Sequence, residues 1–173
     1  MKLLEINSDG TLSANVGPLP EVCRSVIEST VGLYSRVGWN RPWVGYLAFE
    51  NDECVGTCAF THAPTDEVVE IAYFTLPGQE GRGVATRMAG NLLAIARTSA
   101  PDVMVTAHTL PQESASTRVL RKLGFVLNGP MLHPEDGTVW VWRHEEKRNV
   151  PEQSTNPAPS VGASDAERPA SQS

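Results

Sequence analysis

The segment Leu76-Pro77-Gly78-Gln79-Glu80-Gly81-Arg82-Gly83-Val84-Ala85-Thr86 places small residues at 81, 83 and 85, where an apolar pattern of helical period begins. Small side chains let a backbone approach a ligand closely, and the first turn of a helix offers unpaired N–H groups and a partial positive charge. Together they form a cradle for an anion, best matched by phosphate oxygens. Arg82 and Arg87 could add charge-assisted hydrogen bonds at its rim. A second reactive candidate lies just upstream. Glu70 interrupts the apolar run Val68-Val69-Glu70-Ile71-Ala72-Tyr73, where strand alternation puts Glu70, Ala72 and Phe74 on one face and Val69, Ile71 and Tyr73 on the other. A half-buried carboxylate there has a raised pKa and suits a general base, working directly or through a water. His62 and His108 also follow apolar runs and could edge a cleft as proton shuttles.

Several phosphate binders share this logic. A nucleotide-hydrolysing P-loop needs a lysine followed by serine or threonine after its last glycine, and Val84-Ala85 stands there instead. A dinucleotide fold needs three spaced glycines after a first parallel strand. The remaining alternative is that the glycines only turn the chain into a core helix.

The elements that must position these residues follow from periodicity. Pro20 to Val37 repeats apolar residues at helical spacing, and Gly38 to Pro42 ends that region. Three runs rich in β-branched and aromatic residues follow, Val44 to Phe49, Cys54 to Thr61 and Val68 to Thr75, the first two joined by a turn at Asn51-Asp52. This reads as an antiparallel meander. Gly83 to Ala96 is a helix, Val103 to Ala107 a strand, and Ser114 to Leu123 a helix stopped by Gly124. Strands at Phe125 to Leu132 and Thr138 to His144 flank a turn at Pro134 to Gly137. Alternation places Cys54 and Cys58 on one strand face as apolar fillers, and sets Trp140 and Trp142 against Val139 and Val141, with one of those faces exposed toward the acceptor side or a dimer contact.

Composition bounds the rest. The chain of 173 residues is 40% hydrophobic and carries a formal charge of −6, enough for one sizeable core. Residues 147–173 add nothing to the charge, since Lys147, Arg148 and Arg168 balance Glu152, Asp165 and Glu167. An acidic body opposes attraction to nucleic acid or an anionic membrane and suits a cationic small molecule or a basic peptide. Three cysteines make neither a paired disulfide framework nor four metal ligands, so no metal is expected. No signal peptide or long apolar run stands out, and a reducing cytoplasm is the simplest compartment. Residues 148–173 hold proline, serine and alanine with few large apolar residues, and read as a disordered tail after a domain spanning 1–147.

Two stretches together carry a family resemblance. Tyr73-Phe74 leading through Leu76-Pro77 to Glu80-Gly81-Arg82-Gly83-Val84-Ala85-Thr86 resembles the coenzyme A motif of the GNAT superfamily of N-acetyltransferases, Gln/Arg-x-x-Gly-x-Gly/Ala. About 30 residues on, Ser114-Ala115-Ser116-Thr117-Arg118-Val119-Leu120-Arg121-Lys122-Leu123-Gly124-Phe125 resembles that family's second signature, which runs into Lys-Leu-Gly-Phe. The resemblance spans roughly Trp43 to Arg143 and is similar in motif to the subgroup that acetylates ribosomal-protein N-termini.

That resemblance implies an α/β (α+β) fold, with a mixed, mostly antiparallel sheet of six to seven strands flanked by helices and a V-shaped splay between its two central strands. It implies acetyl transfer from acetyl-coenzyme A to a primary amine, of a small molecule or a peptide N-terminus, by direct attack through a tetrahedral intermediate. The pantetheine arm would pair with the strand edge at Ala72, Tyr73 and Phe74, and a backbone N–H near Tyr73 or Phe74 would stabilise the oxyanion. Glu80, Gly81, Arg82, Gly83, Val84, Ala85 and Thr86 would hold the pyrophosphate, Glu80 through its backbone. Glu113 stands where many members carry a contacting asparagine, and Leu120 where many carry an acid tyrosine. Ser116 matches the serine of the ribosomal-protein subgroup and could hydrogen-bond the thioester sulfur. Trp39, Trp43, Glu70 and His108 would line the acceptor side, with aromatic rings able to take an ammonium group. A monomer or homodimer is expected. The altered Glu80, Glu113 and Leu120 leave a second reading open, a coenzyme A-responsive binding module without turnover.

Overall fold

The computed structural model describes residues 1–134 and 136–145. The tail expected over 148–173, and the domain boundary at 147, lie outside the described residues. Ten elements follow in chain order: β1 (Lys2–Glu5), α1 (Glu21–Val37), β2 (Gly45–Glu50), β3 (Glu53–Phe60), β4 (Val68–Thr75), α2 (Val84–Ser99), β5 (Met104–Thr109), α3 (Ala115–Lys122), β6 (Phe125–His133) and β7 (Gly137–His144). They build one seven-stranded sheet in the order β1-β2-β3-β4-β5-β7-β6. Every neighbouring pair is antiparallel except β4 and β5. The mixed, mostly antiparallel α/β sheet flanked by helices is the expected fold, with β1 a seventh strand beyond the six that the sequence pattern marks.

The meander is set by local chemistry. Asn51 and Asp52 both adopt left-handed φ, 49° and 63°, the conformation a two-residue hairpin needs to match the strands' twist. The β2–β3 ladder then skips a residue: Phe49 faces Cys54 while Ala48 faces Gly56. This bulge overturns the expectation that Cys54 and Cys58 share a face. The extra residue turns Cys54 toward α1, where its Sγ lies 3.3 Å from that of Cys23.

The helices divide between the two faces. A Cβ on Gly45 would meet Thr30 and Tyr34 of α1, whereas a Cβ on Gly56 would meet the Met88 thioether of α2 at 2.7 Å and the Phe74 carbonyl at 2.8 Å. Gly56 is therefore the opening through which α2 seats on β3. Val84, Met88, Ala89, Leu92 and Ala96 of α2 are buried there with Val69 and Ile71 of β4. Trp142 is also fully buried, its indole donating to Thr109 Oγ1 at 3.0 Å beneath the Arg121 guanidinium. Of the two last-strand tryptophans, only Trp140 keeps part of its surface exposed.

Candidate active site

The parallel β4–β5 ladder is short: Val68 pairs with Met104, Val69 with Val105 and Glu70 with Thr106. Beyond Glu70, β4 stays bonded to β3 as far as Thr75, while β5 turns to β7 through Thr106 to Thr109. The two central strands therefore part at Glu70 and leave a V-shaped gap. The backbone groups that face it follow from alternation. Thr61 N–H donates to Glu70 O, and Leu76 N–H donates to Val55 O, so the even-numbered positions of β4 turn their amides to β3. Ile71, Tyr73 and Thr75 direct theirs into the gap. Between the two amides considered from sequence, Tyr73 has the N–H on the open side.

The gap leads into a cleft of about 390 Å³ lined by the end of β4, the glycine loop and α3. Gly83 caps α2 in the left-handed conformation, φ 74°, with no side chain bonded to the cap. The first intrahelical bond runs from Arg87 N–H to Gly83 O, so the N–H groups of Val84, Ala85 and Thr86 point forward with no acceptor inside the helix. Glu80 does not oppose an anion here. Its carboxylate folds back and accepts the Gly78 N–H at 2.7 Å.

The cations divide sharply. Arg87 grips Glu50 with Nε at 2.7 Å and Nη2 at 2.9 Å, and donates to the Arg82 carbonyl. It is a tie between α2 and β2, which corrects the expectation of a rim ligand. Arg82 donates to Gln79, whose amide in turn bonds Glu53. Arg121 makes two 2.6 Å bonds to Glu113. Arg118 and Lys122 also line the cleft, and their side chains form no hydrogen bond or ion pair among the described residues. They lie four apart, on one side of α3, and that spacing is the signal by which the sequence could have identified them as a pair.

Glu113 itself is committed elsewhere. Its carboxylate takes Arg121 and the Thr117 hydroxyl, and these bonds, led by Arg121, hold its pKa down to about 2. It does not line the cleft. Ser114 is the N-cap of α3, paired with Thr117 in a reciprocal box. Ser116 lines the cleft, and its carbonyl accepts the Tyr73 hydroxyl at 3.3 Å, so β4 and α3 meet across the opening. Burial raises the Tyr73 hydroxyl to about 12, keeping it protonated. Leu120 points inward and is fully buried.

Glu70 stands where the strands part. Burial pushes its carboxyl above the ordinary value, partly offset by His108, His62 and His133. His108 Nδ1 lies 3.2 Å from its Oε1. Of the four acceptor-side residues expected, Glu70 and His108 come together. Trp43 packs edge-on against Phe60, whose partner across the ladder is Ile71. Trp39 does not join them, because its indole donates to Ile6 O at the far β1 side of the sheet. His62 Nδ1 donates to Ala63 O at 2.7 Å. His133 was not anticipated; it enters the group from β6, too distant in sequence for any pattern to reveal.

The site accommodates a coenzyme thioester: forward-facing amides at a helix start, two cations whose side chains carry no hydrogen bond, and an open strand edge border one cleft. A splayed sheet with that line of donors defines an acyltransferase of the coenzyme A-dependent class. The chain belongs to the GNAT acetyltransferase family, whose family model, described as an acetyltransferase (GNAT) domain, matches residues 3–126.

Among solved structures, the chain is similar to RimL, the ribosomal L7/L12 alpha-N-protein acetyltransferase, in complex with coenzyme A. Identity is 22% over 72% of this chain and 71% of that one, with a TM-score of 0.56. The Salmonella typhimurium acetyl transferase that modifies the N-terminal serine of L7/L12 is 20% identical over 72% and 73%, TM-score 0.56. Aminoglycoside acetyltransferase AAC(6')-Ib with coenzyme A is 22% identical over 60% and 66%, TM-score 0.52. These likenesses concern the fold. No curated protein sequence matches the chain significantly.

Proposed function

We propose that this enzyme transfers an acetyl group from acetyl-coenzyme A to a primary amine, either a peptide N-terminus or a small-molecule amine. The observation that carries the reading is the end of the β4–β5 ladder at Glu70, which puts a base candidate and an open strand edge at one end of a phosphate-accepting cleft. The amides of Val84, Ala85 and Thr86, with Gly81 and Gly83 leaving room, hold the pyrophosphate. Arg118 and Lys122 neutralise phosphate charge from the opposite wall. The Ile71, Tyr73 and Thr75 backbone bonds the pantetheine arm as an added strand, with the Ala72 and Phe74 side chains flanking it.

When bound, the coenzyme supplies an activated acyl carbon. The Tyr73 N–H donates to the acyl oxygen and favours the charge that gathers there. Glu70, in its carboxylate form, accepts the proton of the amine. The Ser116 hydroxyl donates toward the sulfur. Two solved relatives in fold take different amines, the N-terminal serine of L7/L12 and, in a complex with AAC(6')-Ib and coenzyme A, kanamycin. Both classes fit an acidic protein, and so does a cytoplasmic monomer or homodimer that binds neither nucleic acid nor membrane. Among the described residues, no helix is long and apolar enough to cross a membrane.

The test is incubation with acetyl-coenzyme A and an amine panel containing serine-initiated peptides and kanamycin, read by release of free thiol and by mass spectrometry. Thiol release matched by an acetylated amine is expected. A calorimetric signal for acetyl-coenzyme A with no thiol released from any amine would favour the second reading, a coenzyme A-responsive binding module, to which the buried Leu120 lends support.

A further inference from the structure

Beyond Glu70 and His108, a line of titratable groups continues to the surface. The His108 ring meets the His133 ring edge to face, with centroids 5.9 Å apart and planes at 63°. His133 Nδ1 lies 3.1 Å from Asp136 Oδ2 and 3.2 Å from the Asp136 backbone N–H. This second contact is unusual in its chemistry. With Nδ1 bare, His133 accepts from the Asp136 N–H, and with Nδ1 protonated it donates to the Asp136 carboxylate, so the same turn steadies the ring in either state. Asp136 is exposed in the β6–β7 turn, whereas Glu70 and His108 are each about three-quarters or more withdrawn from solvent, with side-chain exposures of 23% and 20%. Four elements contribute to the group: Glu70 from β4, His108 from β5, His133 from β6 with Asp136 just after it, and His62 just beyond β3.

We propose that His108 and His133 form a relay that carries the proton accepted by Glu70 out to Asp136 and bulk water. The proposal rests on the reading of Glu70 as the base. The N–H bond of the amine breaks and its proton goes to a Glu70 oxygen. Glu70 passes it to His108 Nδ1, and the proton on the other ring nitrogen leaves for His133, a step one water between the rings completes. In the tautomer whose Nδ1–H faces the Asp136 carboxylate, His133 takes that proton on Nε2 and gives up its Nδ1 proton through Asp136 to solvent, and exchange with water resets the tautomers of both rings. Each group returns to its starting proton count, and no electron is transferred. The physical need is plain: a carboxylate largely withdrawn from water must be emptied before the next turnover, and His108 and His133 lead from β4 by way of β5 to the edge strand β6.

Two readouts test this. In the free protein, labelled with ¹⁵N, the lifetime of the His108 ring N–H against exchange in dilute phosphate should lengthen several-fold in His133→Gln. Adding free imidazole should shorten it again. In turnover of acetyl-coenzyme A with a serine-initiated tripeptide, His133→Gln and Asp136→Asn should lower kcat about tenfold in dilute buffer, with KM for acetyl-coenzyme A unchanged and the rate recovered by imidazole. Asp136 lies in an exposed turn, so its variant guards against a folding artefact. An unchanged exchange lifetime, or a rate loss that imidazole does not repair, overturns the relay. Glu70→Gln separates the two ideas. Loss of activity in Glu70→Gln beside wild-type rates in His133→Gln refutes only the relay, whereas full activity in Glu70→Gln refutes the base and the relay with it.

Discussion

Glu70 and Thr106 are the last residues joined across the parallel strands β4 and β5. The candidate site is organised around that ending. Toward the strand starts the sheet is continuous and apolar; beyond it, the edge of β4 is open, and the carboxylate at the junction is about three-quarters withdrawn from water.

Glu70→Gln should lower kcat by about a hundredfold near neutral pH, the lower range for loss of a general base. The deficit should narrow at high pH, where the amine loses its proton unaided. Stability should move the other way. Because burial raises the folded carboxyl pKa, the protonated form carries no penalty below the ordinary value, and the penalty appears as pH rises through the raised one. Melting curves should show the variant gaining on wild type from acidic to neutral pH.

Gly83→Val should abolish coenzyme binding while the fold persists. At φ 74° a β-branched residue is strained by roughly 1–3 kcal/mol, and its Cβ would lie 3.1 Å from Arg87 Nη1. Relief of that strain turns the first amides of α2 away from the ligand. Calorimetric titration with coenzyme A checks affinity, and circular dichroism checks the fold.

Arg118→Ala and Lys122→Ala should each weaken coenzyme A binding about tenfold or more, as expected for a lost charge-assisted bond. The loss should shrink in high salt. Arg121→Ala, whose guanidinium is already spent on Glu113, should leave affinity near wild type. Equal losses in all three variants would mean that charge near the cleft matters only in bulk.

Glu113→Gln tests the brace on α3. Arg121 holds the folded pKa at about 2, below the ordinary value of 4.5. A depressed carboxyl stabilises the fold above its unfolded pKa and loses that contribution as pH falls through the folded one. The melting temperature of wild type should exceed that of the variant near neutrality, and the two should converge as pH approaches about 2. Coenzyme affinity should hold, since Glu113 lies outside the cleft lining.

Much of this was legible in one dimension. Helix α2, its glycine start and the alternation of β4 are local patterns, and strand period alone separated Glu70, Ala72 and Phe74 from Ile71 and Tyr73. The Ser114 cap and the Gly124 stop of α3 are equally local, since a cap is satisfied by residues a turn away. What failed depended on register. A single bulge opposite Ala48 and Phe49 reversed the face of Cys54, and nothing in the residue types announces an extra residue in a ladder.

By itself, then, the sequence determined the elements other than β1, the glycine-led start of α2 and the candidate base, because hydrogen bonding and hydrophobic period act over a few neighbouring residues. Tertiary structure alone decided which cations remain available: Arg82, Arg87 and Arg121 are consumed by Gln79, Glu50 and Glu113, while Arg118 and Lys122 are left facing the cleft. It also decided which amide of β4 is open and that His133 stands beside His108, 25 residues away in the chain. Charge pairing and strand partnership join residues far apart along the chain, so their outcome exists only once the sheet has closed around them.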